Sequence, residues 1–131
     1  MSADLNWLLA SAILTWLMLL AASLLRARGW TPAGMKIAFG NRDDLPAPTP
    51  MAGRADRAAK NMLENLLLFA LLVLAAHAAG KADARVAQGA ALFFWGRLAY
   101  APLYWLGIPY LRTLAWLVAV IGMAMIVFAL L

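Results

Sequence analysis

The sequence predicts an all-α membrane protein, a four-transmembrane-helix antiparallel bundle with both termini on the non-cytoplasmic side. The first observation is composition: of 131 residues, 66% are hydrophobic and 13% are charged, whereas a soluble domain is about half apolar and about a quarter charged. The second is that four stretches are long enough to cross a bilayer, which takes about 20 apolar residues. The third is the distribution of basic residues, which gather in connections on one side of the predicted bundle.

The four predicted helices and their connections form a single domain that covers residues 1–131. The helices are expected at about 5–25, 57–79, 86–106 and 113–131, with a long basic cytoplasmic loop at 26–56. Their apolar runs are continuous, whereas spanning strands would alternate apolar and polar residues. No basic residue precedes the first span, and Arg26 and Arg28 follow it. This order is the reverse of a cleavable signal peptide and indicates a retained helix.

Loop charges give the orientation. The segment 26–60 carries seven basic residues and the link before the fourth helix adds Arg112, against only Lys81 and Arg85 in the link after the second helix. Basic loops face the cytoplasm, so the long loop is expected there. The same rule accounts for the net charge of +5 without nucleic acid as a partner. We expect a multi-pass integral protein of a bacterial inner membrane.

Residue types exclude several kinds of site. The chain has no cysteine, which excludes disulfide scaffolds, zinc knuckles, iron–sulfur clusters and a thiol nucleophile of its own. It has one histidine, His77, which excludes multi-histidine metal centres, and no metal is expected. His77 lies about 20 Å from Glu64 toward the far face and is interpreted as an interfacial residue.

Polar residues follow one face of the second predicted helix. Arg57, Lys60, Asn61 and Glu64 are spaced at i, i+3, i+4 and i+7, which places them on one side of a helix. Glu64 then lies about 10 Å deeper in the membrane than Arg57. Ionisable residues in spanning helices are costly and mark functional sites by default.

The third helix carries a matching stripe. Arg97, Tyr100 and Tyr104 share a face by their i, i+3, i+7 spacing, and Arg97 reaches a depth similar to that of Glu64 from the same side. We therefore expect Glu64 and Arg97 to be partners, with Arg112 adding a cation at the cytoplasmic mouth.

Two interpretations of this cluster remain open. In the first, Glu64 and Arg97 form a structural ion pair that locks the bundle. In the second, the cluster binds a small anion, because its cations outnumber its one carboxylate and because two phenols and an amide lie beside them. The excess of positive charge favours the second interpretation.

Four segments together resemble the MAPEG superfamily, the membrane-associated proteins in eicosanoid and glutathione metabolism. Residues 57–64 are similar to that family's second-helix pattern, basic–x–x–basic–Asn–x–x–Glu. Residues 36–44, Lys-Ile-Ala-Phe-Gly-Asn-Arg-Asp-Asp, resemble its first cytoplasmic loop. Residues 96–104, with Gly96-Arg97, Tyr100 and Tyr104, resemble its third-helix pattern, and Arg112 lies where the family has an arginine opening the fourth helix.

The resemblance implies a homotrimer that holds glutathione, as co-substrate, between neighbouring subunits near the cytoplasmic side. Arg112 would face the sulfur as the catalytic residue. A small hydrophobic substrate would arrive from the membrane lipid. The residues that would bind glutathione are Arg57, Lys60, Asn61, Glu64, Arg97, Tyr100 and Tyr104. The sequence departs from the family pattern at Lys60, where many members have arginine, and at Tyr100, where some have histidine.

Three functions compete at this point. The first is a glutathione-dependent transferase or peroxidase that acts on hydrophobic electrophiles or lipid hydroperoxides. The second is a non-catalytic protein of the same fold that binds a lipid or another anion. The third is a small multidrug exporter, which would need an uncompensated membrane carboxylate. The third is disfavoured because cations outnumber Glu64.

Overall fold

A computed structural model describes all residues from 1 to 131, and its regular secondary structure consists of helices alone. The five helices are α1 (Ala3–Ala27), α2 (Pro32–Phe39), α3 (Pro50–Ala78), α4 (Ala84–Trp105) and α5 (Pro109–Leu130). The prediction of an all-α fold is confirmed, and the four long helices correspond in order to the four predicted ones.

Three of the long helices, α1, α3 and α5, are long and apolar enough to cross a membrane. α4 has 22 residues, which is sufficient length, but it is not among these three. Its apolar run is interrupted by Arg85, Gln88 and Arg97. The structure therefore supports three candidate spans where the sequence predicted four.

Small residues bring α4 and α5 into close backbone contact. A methyl group added at Gly122 would lie 2.4 Å from the carbonyl oxygen of Gly89, and one added at Gly96 would lie 2.8 Å from the carbonyl oxygen of Ala115. Such close approach is how helices associate where the surroundings are as apolar as the side chains. The contact fixes the separation of the two helices that carry Arg97 and Arg112.

Replacing Gly122 with alanine is expected to lower the stability of the bundle by about 1–3 kcal/mol, the usual range for overpacking. Thermal unfolding in detergent measures the change. Gly53→Ala is the matched control, because a methyl group there meets only the flexible end of the Arg57 side chain, at 3.3 Å. An equal melting temperature for Gly122→Ala and wild type would contradict the close contact.

The long connection is more ordered than predicted. The sequence assigned 26–56 to a loop, but this segment contains α2 and the first seven residues of α3, which begins at Pro50 rather than at residue 57. α2 and α3 each begin with a threonine N-cap that is followed by proline. The Thr31 hydroxyl accepts a hydrogen bond from the Gly34 amide at 3.0 Å, and the Thr49 hydroxyl accepts one from the Ala52 amide at 3.1 Å. Proline is suited to the first helical position, because the backbone amide that it lacks would have no hydrogen-bond partner there.

Two arginines fold this connection back onto the end of α1. Arg42 donates to the Ser23 hydroxyl at 2.9 Å, and Arg26 donates to the carbonyl of Pro46. Gly34 packs so closely on the end of α1 that a methyl group there would lie 1.9 Å from the Arg28 carbonyl oxygen. α2 is therefore held against α1 by backbone contact.

The two chain ends lie at the same end of the bundle, beside the turn between α3 and α4. His77 on α3 contacts the buried carboxylate of Asp4 at 2.5 Å, and Lys81 donates to the carbonyl of Leu130. At the turn itself, Asp83 caps α4. Hydrogen bonds from the backbone of Val86 and from Arg85 hold the pKa of Asp83 below its ordinary value.

Candidate functional site

A buried arginine lies at the centre of the candidate site. Arg97 has no exposed surface. Its Nη2 donates to Asn61 Oδ1 at 2.8 Å and its Nε to Met62 Sδ at 3.1 Å, while its Nη1 has no partner. No carboxylate lies within ion-pair distance of it. A buried charge is costly unless it is paired, so this guanidinium has unused capacity to bind an anion.

Aromatic rings take the place of an acid beside this cation. The Cζ atom of Arg97 lies 4.1 Å from the centre of the Tyr100 ring, and the Tyr100 and Tyr104 rings meet edge to face with centroids 5.4 Å apart. A ring face attracts a guanidinium electrostatically but does not neutralise it. The positive charge therefore persists at the site.

Two more arginines converge on Tyr104. Arg112 stacks over its ring, with Cζ 4.4 Å from the centroid, and Arg57 donates from Nε to its hydroxyl at 3.3 Å. These arginines come from α5 and α3, and Arg97 comes from α4. Three helices thus each place one cation around a pair of phenols.

A pocket of about 200 Å³ opens at this cluster. Its walls come from three helices: Asn61, Tyr100, Tyr104, Arg112, Thr113 and Trp116. No acidic residue lines it. The pocket offers amide, hydroxyl, phenol and guanidinium groups, which suits a small polar ligand with negative charge.

Six of the eight predicted site residues belong to this cluster. Four of them line the pocket: Asn61, Tyr100, Tyr104 and Arg112. The other two, Arg57 and Arg97, contact Tyr104 and Asn61 without lining the pocket. The face shared by Arg97, Tyr100 and Tyr104 is the one that the sequence spacing predicted.

The predicted pairing of Glu64 with Arg97 is wrong. Glu64 is exposed and forms no ion pair. The side of α3 that packs inward is the one that carries Met62 and Phe69, and Phe69 stacks on Phe93 of α4 with centroids 4.0 Å apart. Glu64 lies two residues after Met62, which is a rotation of about 200° around the helix axis. Glu64 therefore points away from Arg97.

Lys60 also lies outside the cluster. It is exposed and pairs with Asp56 at 2.9 Å, as neighbours four residues apart on a helix do. Such surface pairs contribute little to stability. Within this chain, Lys60 and Glu64 share an open face of α3 and do not line the pocket.

Sequence reasoning missed four residues of the site. Trp116 and Thr113 line the pocket beside Arg112. Trp116 lies four positions after Arg112 and therefore shares its helix face. Arg54 lies one turn before Arg57 and donates to the carbonyl of Trp105, the residue after Tyr104. Extending the basic stripe backwards would have found it. Nothing in the sequence marks Met62, whose sulfur accepts from Arg97.

No group of three or more His, Cys, Asp or Glu side chains is arranged to hold a metal ion. The donor groups at the pocket are instead those that recognise anions. A comparison with protein-family models matches residues 5–131 to the MAPEG family. The chain belongs to the MAPEG family. It is therefore a membrane protein of the kind associated with eicosanoid and glutathione metabolism.

Membership confirms the family resemblance that the sequence motifs carry, over essentially the whole chain. Searches of curated proteins and of solved structures find no match. The site of this MAPEG protein is thus described from its own geometry.

Proposed function

We propose that this MAPEG protein binds glutathione at the α3–α4–α5 pocket and activates its thiol for attack on hydrophobic electrophiles or lipid hydroperoxides. The observation that carries the proposal is the acid-free pocket lined by Asn61, Tyr100 and Arg112, behind which the buried guanidinium of Arg97 keeps an unpartnered Nη1. Glutathione has two carboxylates, and arginine pairs with carboxylates through two parallel hydrogen bonds. Arg97 and Arg57 are the cations assigned to them, with Asn61 and Tyr100 orienting the peptide.

The proposed chemistry uses Arg112. A free thiol titrates near pH 8.5, and a neighbouring arginine lowers that pKa, so more of the bound glutathione is thiolate at neutral pH. The thiol proton leaves to solvent. The thiolate sulfur then forms a bond to the electrophilic carbon while the leaving group departs with its electron pair. The stacking of Arg112 on Tyr104 at the pocket wall supports this role.

With a lipid hydroperoxide, the thiolate attacks the terminal peroxide oxygen and the O–O bond breaks. The alkoxide takes a proton and leaves as an alcohol, and a second glutathione releases the first as disulfide with loss of water. The substrate itself is an apolar molecule. An apolar cleft of about 510 Å³ between α3 and α5, which includes Leu68 and Val120, lies further along the helices that carry Asn61 and Trp116. It supports delivery of such a substrate from the bilayer.

The proposal includes a homotrimer with four spanning helices, α4 among them, and both termini away from the cytoplasm. Its support is the open face of α3, where Glu64 is exposed within a candidate span. An ionisable side chain in that position is costly against lipid. A neighbouring subunit would cover it, and Glu64 could then accept the ammonium of glutathione.

The test is turnover of glutathione with chlorodinitrobenzene and with cumene hydroperoxide by the purified protein in detergent. We expect saturable activity with at least one of them, retained in the control variant Arg85→Ala, since Arg85 is exposed and pairs only with Asp83. Absence of both turnover and glutathione binding would refute the proposal.

A second candidate function is binding of an anionic lipid without turnover. The same two features favour it: the acid-free cationic pocket and the apolar cleft along the same two helices. Mass spectrometry of lipids that copurify with wild type, and not with an Arg97→Met variant, would support this candidate if glutathione does not bind.

A further inference from the structure

Two backbone hydrogen bonds close the turn between α4 and α5. The Gly107 amide donates to the Tyr104 carbonyl and the Ile108 amide to the Leu103 carbonyl, each at 3.0 Å. This is the Schellman arrangement, with Gly107 in the left-handed region at φ 73°. The pattern satisfies the carbonyls of Leu103 and Tyr104, while that of Trp105, the last residue of α4, receives no backbone bond.

The residue that follows this turn is Pro109, which has no amide proton. The missing donor comes from another helix: Arg54 on α3 donates from Nε to the Trp105 carbonyl at 2.8 Å. A methyl group on Gly107 would lie 3.5 Å from the Cζ of Arg54, so the guanidinium packs against the turn itself. A cation at the carbonyl end of a helix is also favourable to the helix dipole.

Arg54 and Arg57 are one turn apart on α3 and hold two parts of the same segment. Arg54 binds the backbone of α4 at Trp105, and Arg57 binds the hydroxyl of the preceding residue, Tyr104. Beyond the turn, α5 brings Arg112 back over the Tyr104 ring. The contact of Arg54 thus lies at the junction between Tyr104 and Arg112, which stack on each other at the pocket wall.

We propose that Arg54 is a positioning residue, which fixes the α4–α5 turn on α3 and thereby sets the placement of Tyr104 and Arg112. The effect of Arg54 on catalysis rests on the proposed function, whereas its effect on the positions of Tyr104 and Arg112 does not. The inference and the proposed function can therefore be refuted separately.

The experiment compares wild type with Arg54→Met, which keeps the length of the side chain but removes the donor. Arg54→Lys is the rescue variant, because its ammonium can still donate to the Trp105 carbonyl. Arg85→Met is the control, an exposed arginine at the opposite end of the bundle. Arg54→Gln replaces Arg54→Met if methionine prevents folding.

The geometric readout is fluorine NMR of protein labelled with 3-fluorotyrosine. The chain has three tyrosines, so three resonances are to be assigned. In Arg54→Met, we expect the Tyr104 resonance to shift or broaden, while the resonance of the exposed Tyr110 stays in place. Arg54→Lys is expected to restore the Tyr104 resonance, and Arg85→Met to leave it unchanged. An unmoved Tyr104 resonance in Arg54→Met would overturn the inference, whether or not glutathione binds.

The catalytic readout is the pH profile of thiolate formation by bound glutathione. With Arg112 misplaced, we expect about tenfold less thiolate at neutral pH in Arg54→Met, which corresponds to a thiol pKa one unit higher. Glutathione affinity should change much less, since Arg97 and Asn61 do not depend on the turn. A wild-type protein with no thiolate would refute the proposed function, whereas an unchanged profile in Arg54→Met would refute only the role of Arg54.

Discussion

Replacing Arg112 with alanine is expected to lower the kcat for glutathione-dependent turnover by about 100-fold, the usual effect of removing one group that stabilises developing or resident negative charge. Without the guanidinium, the bound thiol titrates closer to its free pKa of about 8.5, so the nucleophile is scarcer at neutral pH. The KM for glutathione should rise much less, because Arg97 remains. Steady-state kinetics over a range of pH measures both effects.

Two variants sharpen this test. Arg112→Lys keeps a positive charge near Tyr104 and is expected to recover part of the rate at higher pH. Arg85→Ala removes an exposed arginine whose partner is Asp83 and should behave as wild type. An Arg112→Ala protein with unchanged kcat would show that another group activates the thiol.

Replacing Arg97 with methionine is expected to weaken glutathione binding by about 100-fold while leaving the melting temperature unchanged or higher. The binding loss follows from removing one charged partner of a buried contact, which typically costs 2–5 kcal/mol. The stability gain follows because the free protein no longer buries a cation that has no acid beside it. Replacement of buried ionic groups by apolar residues is often neutral or stabilising.

Arg97→Met is diagnostic because it is expected to weaken glutathione binding while leaving the melting temperature unchanged or higher. Calorimetric titration with glutathione and thermal unfolding of the ligand-free protein are the two measurements. If Arg97 served only to lock the helices together, the melting temperature would fall and binding would change little. That outcome would give Arg97 a structural role, with Asn61 and Tyr100 as its partners in place of Glu64.

The sequence predicted the helical fold and the grouping of most candidate residues because both rest on periodicity. The spacing of Arg97, Tyr100 and Tyr104 alone places them on one face, and the structure keeps them there. Periodicity does not say which neighbour a face meets. Glu64 shares a stripe with Asn61, yet only Asn61 is turned far enough inward to reach Arg97.

The remaining misses have local causes. Threonine followed by proline marks the start of both α2 and α3. The other prolines of the connection obscured this pattern, because they indicate extended chain. Arg54 could not be assigned a role from the sequence, since its partner is a backbone carbonyl 51 positions away. Such contacts follow from how the turn is closed, which only the fold shows.

Activation of the glutathione thiol is tested most directly by an ultraviolet difference spectrum recorded while glutathione is titrated into the wild-type protein at neutral pH. We predict a saturable thiolate band that is absent with S-methylglutathione and with Arg112→Ala. A flat spectrum, together with no displacement of bound ligand by glutathione, would contradict the claim that this pocket binds and activates the thiol.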